Sequence, residues 1–354
     1  MDRIRSIDLD TGQILVQAGV TLAAIDAALS GTPWRYGVDF AARDSATIGG
    51  TVATNAGGPR VFRHGTTRDQ VRGISAVLGT GDRVDHLRGL RKDNTGFDLA
   101  GLLCGSEGTL GVVCDVRVRL VERPEAIVAA AIGFDRLEEA TEAAWHIARV
   151  VAAAEEIELA ARPAAGLVAE RRGRSLPVEG DWRLFVRIAE RDEARAEGAL
   201  REMANAGGPR ADTLAVADGS AAPALLDYRD GISEALRRRA PVHKYDVSLP
   251  AGTLADALHD VGRRLGGADP AARLWLFGHV CDHNMHINVT DAALDSDDLR
   301  GTRLSRDARG ELTVTVLESP LKRDDRFDLW SAAWRERIGE IREGEERLRR
   351  GGSE

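Results

Sequence analysis

The sequence predicts an α+β protein in two parts, and three observations carry that prediction. Strand-like alternation gives way to helical spacing near the start, the texture of the chain changes after Pro124, and apolar strands alternate with Ala- and Glu-rich helices from there on. The 354 residues are 43% hydrophobic, enough to bury a sizeable core and usually to form two domains.

The stretch "GQILVQAGVTLAAIDAAL" alternates like a strand and switches at Thr21 to a helix with Leu22, Ile25, Ala28 and Leu29 on one face, a β–α unit. Residues 33–81 are Gly-rich and short of long apolar runs. "LGVVCDVRVRLV" (110–121) reads as a long strand with Val112, Cys114, Val116, Val118 and Leu120 on one side, and Pro124 ends that layer. The second part opens on the strand "AIVAAAIGF" and continues with a helix near 136–154, the strand "WRLFVRI" (182–188) and a helix after Asp192. Beyond residue 294 the tail is densely charged, and Trp330, Trp334, Ile338, Ile341 and Leu348 predict an amphipathic surface helix.

Composition excludes several function classes. The net charge is −8 and no basic stripe is present, so neither a nucleic-acid surface nor a polybasic membrane patch is expected. No run approaches the ~18 apolar residues of a membrane span, and any membrane role would be peripheral. Charged Asp2, Arg3 and Arg5 precede any apolar run, so no signal peptide is expected, and Cys104, Cys114 and Cys281 lack disulfide or metal spacing. A reducing cytoplasm is the default expectation.

Chemistry concentrates in three places. In "RDSATIGGTVATNAGGPRVFRHGTTRDQV" (43–71), Gly49, Gly50, Gly57 and Gly58 let the backbone approach something flat or anionic, and Thr47, Thr51, Thr54 and Asn55 supply short hydrogen-bonding groups. A ligand-free region of tight turns accounts for the same pattern, and neither GxGxxG nor a P-loop lysine is present. In "LFGHVCDHNMHINV" (276–289), two strands joined by a turn Cys281–Asn284 would pair Val280 with Met285 and His279 with His286. Both imidazoles and Asn288 would then share one face, as two metal ligands and an amide or as histidines that merely hydrogen-bond across strands. Arg229 and Ser233, at i and i+4 of one helix, could address one ligand or stand in solvent. Lys244 could do the same or pair with Asp246. His64, His86, His146, His243 and His259 show no such pattern.

"TIGGTVATNAGG", "RKDNTGFDL" and "GSEGTLGVV" resemble the flavin-binding domain of the vanillyl-alcohol-oxidase (p-cresol-methylhydroxylase-type) superfamily, in its D-lactate dehydrogenase, glycolate oxidase and D-2-hydroxyglutarate dehydrogenase group. "RKDNTGFDL" and "HKYDVSLP" lean toward the D-2-hydroxyglutarate branch, and the likeness runs from about residue 3 to 290. It implies the second part of a p-cresol-methylhydroxylase-type FAD domain at 1–123, an α+β substrate (cap) domain with an antiparallel sheet and a metal hairpin at 124–294, and a divergent tail at 295–354. The implied FAD contacts are Ile48, Gly49, Gly50, Thr54, Asn55, Gly57, Gly58, Gly65, Glu107, Gly108, Thr109 and Gly111. "GHVCDHNMHIN" resembles the motif Gly-His-x-Gly-Asp-Gly-Asn-x-His-x-Asn, which implies a divalent metal, usually zinc, on His279 and His286 and substrate on Asn288, with Arg229, Ser233 and Lys244 holding substrate carboxylates.

The departures from the family shape the expectations. Its β-rich segment with the pyrophosphate loop would precede Met1, and its Glu-His-Gly motif, source of the third metal ligand and the base, has no counterpart after residue 290. Cys281 and His283 replace motif glycines, so His283 or Asp282 would substitute as ligand and His283 as base. The expected activity is oxidation of a small anionic D-2-hydroxy acid to the 2-oxo acid, with hydride to FAD and an electron-transfer protein or quinone as outside acceptor. A homodimer is compatible with this. A non-catalytic family remnant and a flavin-free zinc hydrolase are the rivals.

Overall fold

The computed structural model describes residues 1–291 other than 41, 207–213, 240 and 251, together with the backbone of 303–306 and 312–315. The described residues divide between Arg123 and Pro124 into two compact units. The predicted tail helix lies outside them.

In the first unit, β1 (Ile4–Asp8) and β2 (Gln13–Gln17) form a hairpin whose turn is held by Asp8 accepting from the amides of Asp10 and Thr11. Thr21 caps α1 (Leu22–Ala28), its hydroxyl accepting from the Ala24 amide, and Leu22, Ile25 and Leu29 are buried as the helical spacing requires. There follow β3 (Trp34–Arg35), α2 (Ile48–Thr54), α3 (Val61–His64), α4 (Thr67–Gln70), β4 (Val71–Leu78), β5 (Arg83–His86), α5 (Leu99–Leu103), β6 (Gly111–Arg119) and β7 (Val121–Glu122). Five strands make an antiparallel sheet in the order β1-β2-β6-β4-β5, and β3 pairs with β7.

Two features of this sheet differ from the sequence reading. The Gly-rich region hides β4, whose Arg72, Gly73 and Ser75 break the apolar pattern; Ser75 is buried because its hydroxyl accepts from the Asp115 amide at 3.1 Å. In β6, Ser75 pairs with Asp115 but Ala76 with Val113, so Cys114 is a bulge. The bulge reverses the faces: Val113, Val116 and Val118 are buried, while Val112 is 38% exposed rather than joining them.

The second unit contains β8 (Ala126–Phe134), α6 (Leu137–Val150), β9 (Ala154–Ala161), α7 (Arg162–Arg172), β10 (Trp182–Glu190), α8 (Glu193–Ala206), β11 (Leu214–Asp218), α9 (Ala222–Asp230), α10 (Ile232–Arg237), β12 (His243–Ser248), α11 (Leu254–Ala268), β13 (Arg273–His279) and β14 (Asn284–Thr290). Seven strands form an antiparallel sheet in the order β11-β8-β10-β9-β13-β14-β12, and β15 (Arg303–Arg306) pairs with β16 (Leu312–Thr315). On one face Ala129, Ala131 and Ala160 leave room for α7, α9 and α10, which bury Leu167, Leu225, Leu226 and Ile232 against Phe185, Trp275 and Phe277. Each such side chain contributes roughly 1.5–3 kcal/mol of burial. Both faces of β9 are covered, for every one of its residues is buried, including Glu155, Glu156 and Glu158.

Candidate functional site

Strand register assembles the polar face of the second unit. Phe277 lies opposite both Ala160 of β9 and His286 of β14, and His279 lies opposite Glu158. On the other side of β14, Asp246 faces His286 and Lys244 faces Asn288. Because side chains alternate along a strand, Glu158, Phe277, His279, His286, Asn288, Asp246 and Lys244 all project to one face. Arg229 reaches this face from α9, its guanidinium 4.8 Å above the Phe277 ring.

The expected hairpin register is corrected by two residues. Val280–Asp282 form a short 3-10 turn and His283 adopts φ 57°, so the connection is Val280–His283, and Met285 pairs with Gly278 and His286 with Phe277. A shift of two keeps side chains on their face. His279 and His286 are therefore diagonal neighbours with ring centroids 5.2 Å apart.

His283 goes elsewhere. Its ring stacks at 4.8 Å on Trp145 of α6 and lines a cavity with Glu138, Glu142, His146 and Asp256, so it is not placed to serve as base or ligand beside the other two. Arg229 and Ser233 do not share one helix as expected: the helix breaks at Gly231, leaving Arg229 buried in α9 and Ser233 half-buried in α10. Asp246 accepts from the Asn284 amide at 2.5 Å and lies 3.6 Å from His286, so Lys244 is not its ion partner.

The residue that sequence reasoning missed is Glu158. It sits at the centre of the cluster, with Oε1 2.5 Å from His279 Nδ1 and Oε2 2.6 Å from Arg229 Nη2. Its only signal was a glutamate set among the apolar residues of "EIELAA", a segment from which the sequence reading drew no strand.

Charge follows from this packing. Burial pushes the Glu158 carboxyl up, but Arg229 and His279 outweigh it and hold the group below the usual glutamate range. Burial opposes charge on His279, yet Glu158 raises its pKa overall. His286, half-buried, is pushed down to about 4 by desolvation and by Arg229, which outweigh the nearby Asp246 carboxylate. Lys244 is lowered by partial burial and by Arg237. Two buried donors on the face have no hydrogen-bond partner among the described residues, Arg229 Nε and Asn288 Nδ2.

The expected metal site is incomplete among the described residues. No three His, Cys, Asp or Glu side chains among them are placed to hold one ion, where a catalytic zinc takes about three protein ligands. His279 turns Nδ1 to Glu158, the arrangement by which a carboxylate orients a metal-ligating imidazole, and Nε2 would be its ligand atom.

In the first unit the two glycine clusters meet. The Gly105 amide donates to the Val52 carbonyl at 2.9 Å and the Glu107 amide to Ala53 at 2.8 Å, which joins α2 to the 104–109 loop. Several motif glycines serve the chain's own packing: a Cβ on Gly49 would lie 2.6 Å from Ala18 Cβ, and one on Gly58 would strike the Asp39 carbonyl. Ile48 is core, Asn55 ends α2 in the left-handed region and accepts from the Arg68 amide, Gly65 ends α3, and Gly111 packs on the Val77 carbonyl. Gly50, Thr54, Gly57 and Thr109 remain exposed around half-buried Glu107 and Gly108, beside exposed Leu102 and Leu110. This shelf of backbone, hydroxyls and apolar surface fits a flat polar cofactor.

Residues 1–86 match the family model of the FAD binding domain, and residues 123–309 match that of the FAD linked oxidases, C-terminal domain. The chain belongs to the FAD-linked oxidases. It is 31% identical over 306 residues to the mitochondrial D-2-hydroxyglutarate dehydrogenase of Danio rerio, covering 84% of this chain and 56% of that protein. It thus spans little more than half of that relative's length. Among solved structures, an alkyldihydroxyacetonephosphate synthase superposes with TM-score 0.66 at 15% identity, covering 84% of this chain and 60% of the other. A p-cresol methylhydroxylase does so with TM-score 0.63 at 12% identity, covering 82% and 64%. The p-cresol-methylhydroxylase-type fold with antiparallel sheets is that expected from the motifs. The relative's name places it in mitochondria, so the cytoplasmic expectation draws no support from it. Among the described residues no helix is long and apolar enough to cross a membrane.

Proposed function

We propose that this chain carries the substrate face and part of the flavin site of an FAD-linked dehydrogenase that oxidises a D-2-hydroxy acid, D-2-hydroxyglutarate-like or D-lactate-like, to the 2-oxo acid. The observation that carries the reading is the pair of buried, unpartnered donors, Arg229 Nε and Asn288 Nδ2, on the face that also presents two imidazoles. Buried donors are nearly always paired, so two left open on one face call for an acceptor-rich ligand, which a carboxylate is. In this reading residues 1–123 are the flavin part and 124–294 the substrate part.

Arg229 and Asn288 donate to the 2-hydroxy acid's carboxylate, and Lys244, opposite Asn288, pairs with a second carboxylate in a dicarboxylate substrate. His279 or His286, next to them, takes the hydroxyl proton as the carbinol carbon is oxidised, a role worth ~10²–10⁴-fold in rate. Gly50, Thr54, Gly57, Glu107, Gly108 and Thr109 would hold FAD, which supplies the hydride acceptor, and an electron-transfer protein or quinone would take the electrons onward. These roles are stated for the chain's own side chains, which among the described residues supply fewer than the about three ligands a zinc takes.

The test is titration calorimetry of the full chain with D-2-hydroxyglutarate and D-lactate, alongside dye-coupled turnover with FAD supplied. Binding by the wild type should weaken at least tenfold in Arg229→Met, about 1.4 kcal/mol, and stay unchanged in His283→Ala. A folded wild-type chain that binds neither acid would overturn the reading.

A further inference from the structure

The end of α10 carries three consecutive arginines, and their surroundings differ. Arg238 pairs with Glu234 at 3.3 Å, an exposed i, i+4 contact. Arg237 and Arg239 have no carboxylate partner among the described residues, and neither has Lys244. The carboxylates nearby are engaged already, Glu234 by Arg171 as well as Arg238, and Asp246 by the Asn284 amide.

The sheet fixes where these cations stand. Trp275 of β13 and Lys244 of β12 lie opposite Asn288 on its two sides, so the three side chains form one row across the polar face. The Arg239 guanidinium lies 5.3 Å above the Trp275 ring at one end of the row. At the other end Arg237 comes near enough to Lys244 that its charge, after partial burial, lowers the lysine's pKa. Between the ends sits Asn288, 3% exposed, with its Nδ2 donor open. Like charges gathered at one place without an acid repel, and an anion relieves them.

We infer that Arg237 and Arg239 are specificity residues for a doubly charged distal group, so that the acid best suited to this face is a 2-hydroxy acid bearing a terminal phosphomonoester. The inference rests on the reading above and names what lies at the far end of its substrate. A second carboxylate brings one charge and two oxygens, which Lys244 alone can meet. A phosphomonoester brings nearly two charges and three oxygens, enough for Lys244 and two guanidiniums, all of which only donate. Reach does not separate the two, since as many bonds lie between the carbinol carbon and phosphorus in 3-phospho-D-glycerate as between it and the distal carboxyl carbon in D-2-hydroxyglutarate. Both arginines are exposed, so replacing them leaves the core intact.

The measurement is titration calorimetry of the full chain at fixed ionic strength with 3-phospho-D-glycerate, D-2-hydroxyglutarate and D-lactate. The wild type should bind them in that order, the phosphorylated acid at least about tenfold tighter than the dicarboxylic one. Arg237→Gln and Arg239→Gln should each remove most of that preference and leave D-lactate, which has no distal anion, within about twofold. Arg238→Gln, which removes the paired arginine between them, should leave the order and the ratios as they are. Equal affinity for the phosphorylated and dicarboxylic acids overturns the proposal, and so does a preference that survives both substitutions. For a chain that binds none of the three acids, the indole Nε1–H of Trp275 decides, since it lies beneath Arg239 and is held by Thr290. In 15N–1H NMR inorganic phosphate should shift it more than acetate does, and Arg239→Gln should abolish the difference. That response without acid binding would count against the dehydrogenase reading and not against the arginines, whereas its absence there overturns the proposal.

Discussion

Two regions of β9 handle buried negative charge differently. At one end Glu155 and Glu156 close on Arg187, whose Nε is hydrogen-bonded to Glu155. Three positions along, Glu158 meets Arg229, whose Nε has no hydrogen-bond partner among the described residues, and His279, which turns only Nδ1 to it. The first arrangement uses its guanidinium, which comes from the adjacent strand β10, on two carboxylates of β9 and so ties one sheet strand to the next. The second retains donors and an acceptor directed at something outside the fold. Buried arginine–glutamate pairs are therefore told apart by what they leave unsatisfied rather than by the pair itself.

The largest effect expected from breaking this contrast falls on the closed end. Arg187→Ala leaves two buried carboxylates without their guanidinium and should destabilise the chain by about 3–5 kcal/mol in urea unfolding. Binding of the acid by the remaining folded protein should change far less than stability, since Arg187 is engaged by Glu155 and Glu156 rather than by the donors left open on that face.

A smaller effect, with a definite sign, concerns pH at the open end. His286 titrates at about 4 in the folded protein, whereas an unfolded histidine does so near 6.5. Between those values the unfolded chain binds the extra proton, so this residue makes stability fall as pH drops from about 6.5 toward 4. His279, raised by Glu158, acts oppositely: its contribution is present at low pH and is lost as pH rises through its folded pKa. Urea midpoints measured across this range should lose part of their acid slope in His286→Gln, and an unchanged slope would place the ring in solvent.

The smallest effect sharpens the contrast from outside the core. Arg201 and Glu197 form an exposed pair at i, i+4, and Arg201→Ala should move stability by no more than about 0.5 kcal/mol. A larger loss there would mean that burial is not what gives the β9 pairs their weight.

How much of this was legible in the sequence depends on which signal each element left. The helix after Thr21 and the strands at 126–134 and 182–190 were readable because period and burial agree. β4 was not, because a buried serine bonded to the Asp115 backbone looks polar in isolation. Gly49 and Gly58 were legible as close-approach positions, but not for what they approach, which is the chain's own Ala18 and Asp39. The two histidines were placed on one face despite a wrong turn, since alternation survives an error of two. Glu158 lay beyond reach: its partners come from 71 and 121 residues further along, and only the assembled sheet and helix layer bring them to it.

The position of β14 in the sheet also limits how the gene can change. The strand is hydrogen-bonded on both sides, to β13 and β12, so slipping it by one residue breaks two ladders at once. Such a slip would also send His286 and Asn288 to the opposite layer and bring Met285 and Ile287 to the one that carries Arg229 and His279. Deleting a single codon within Met285–Asn288 should therefore abolish function where many point substitutions merely weaken it. Loss or gain of two codons keeps the odd–even order of the strand, and lineages that vary in length here should do so in pairs.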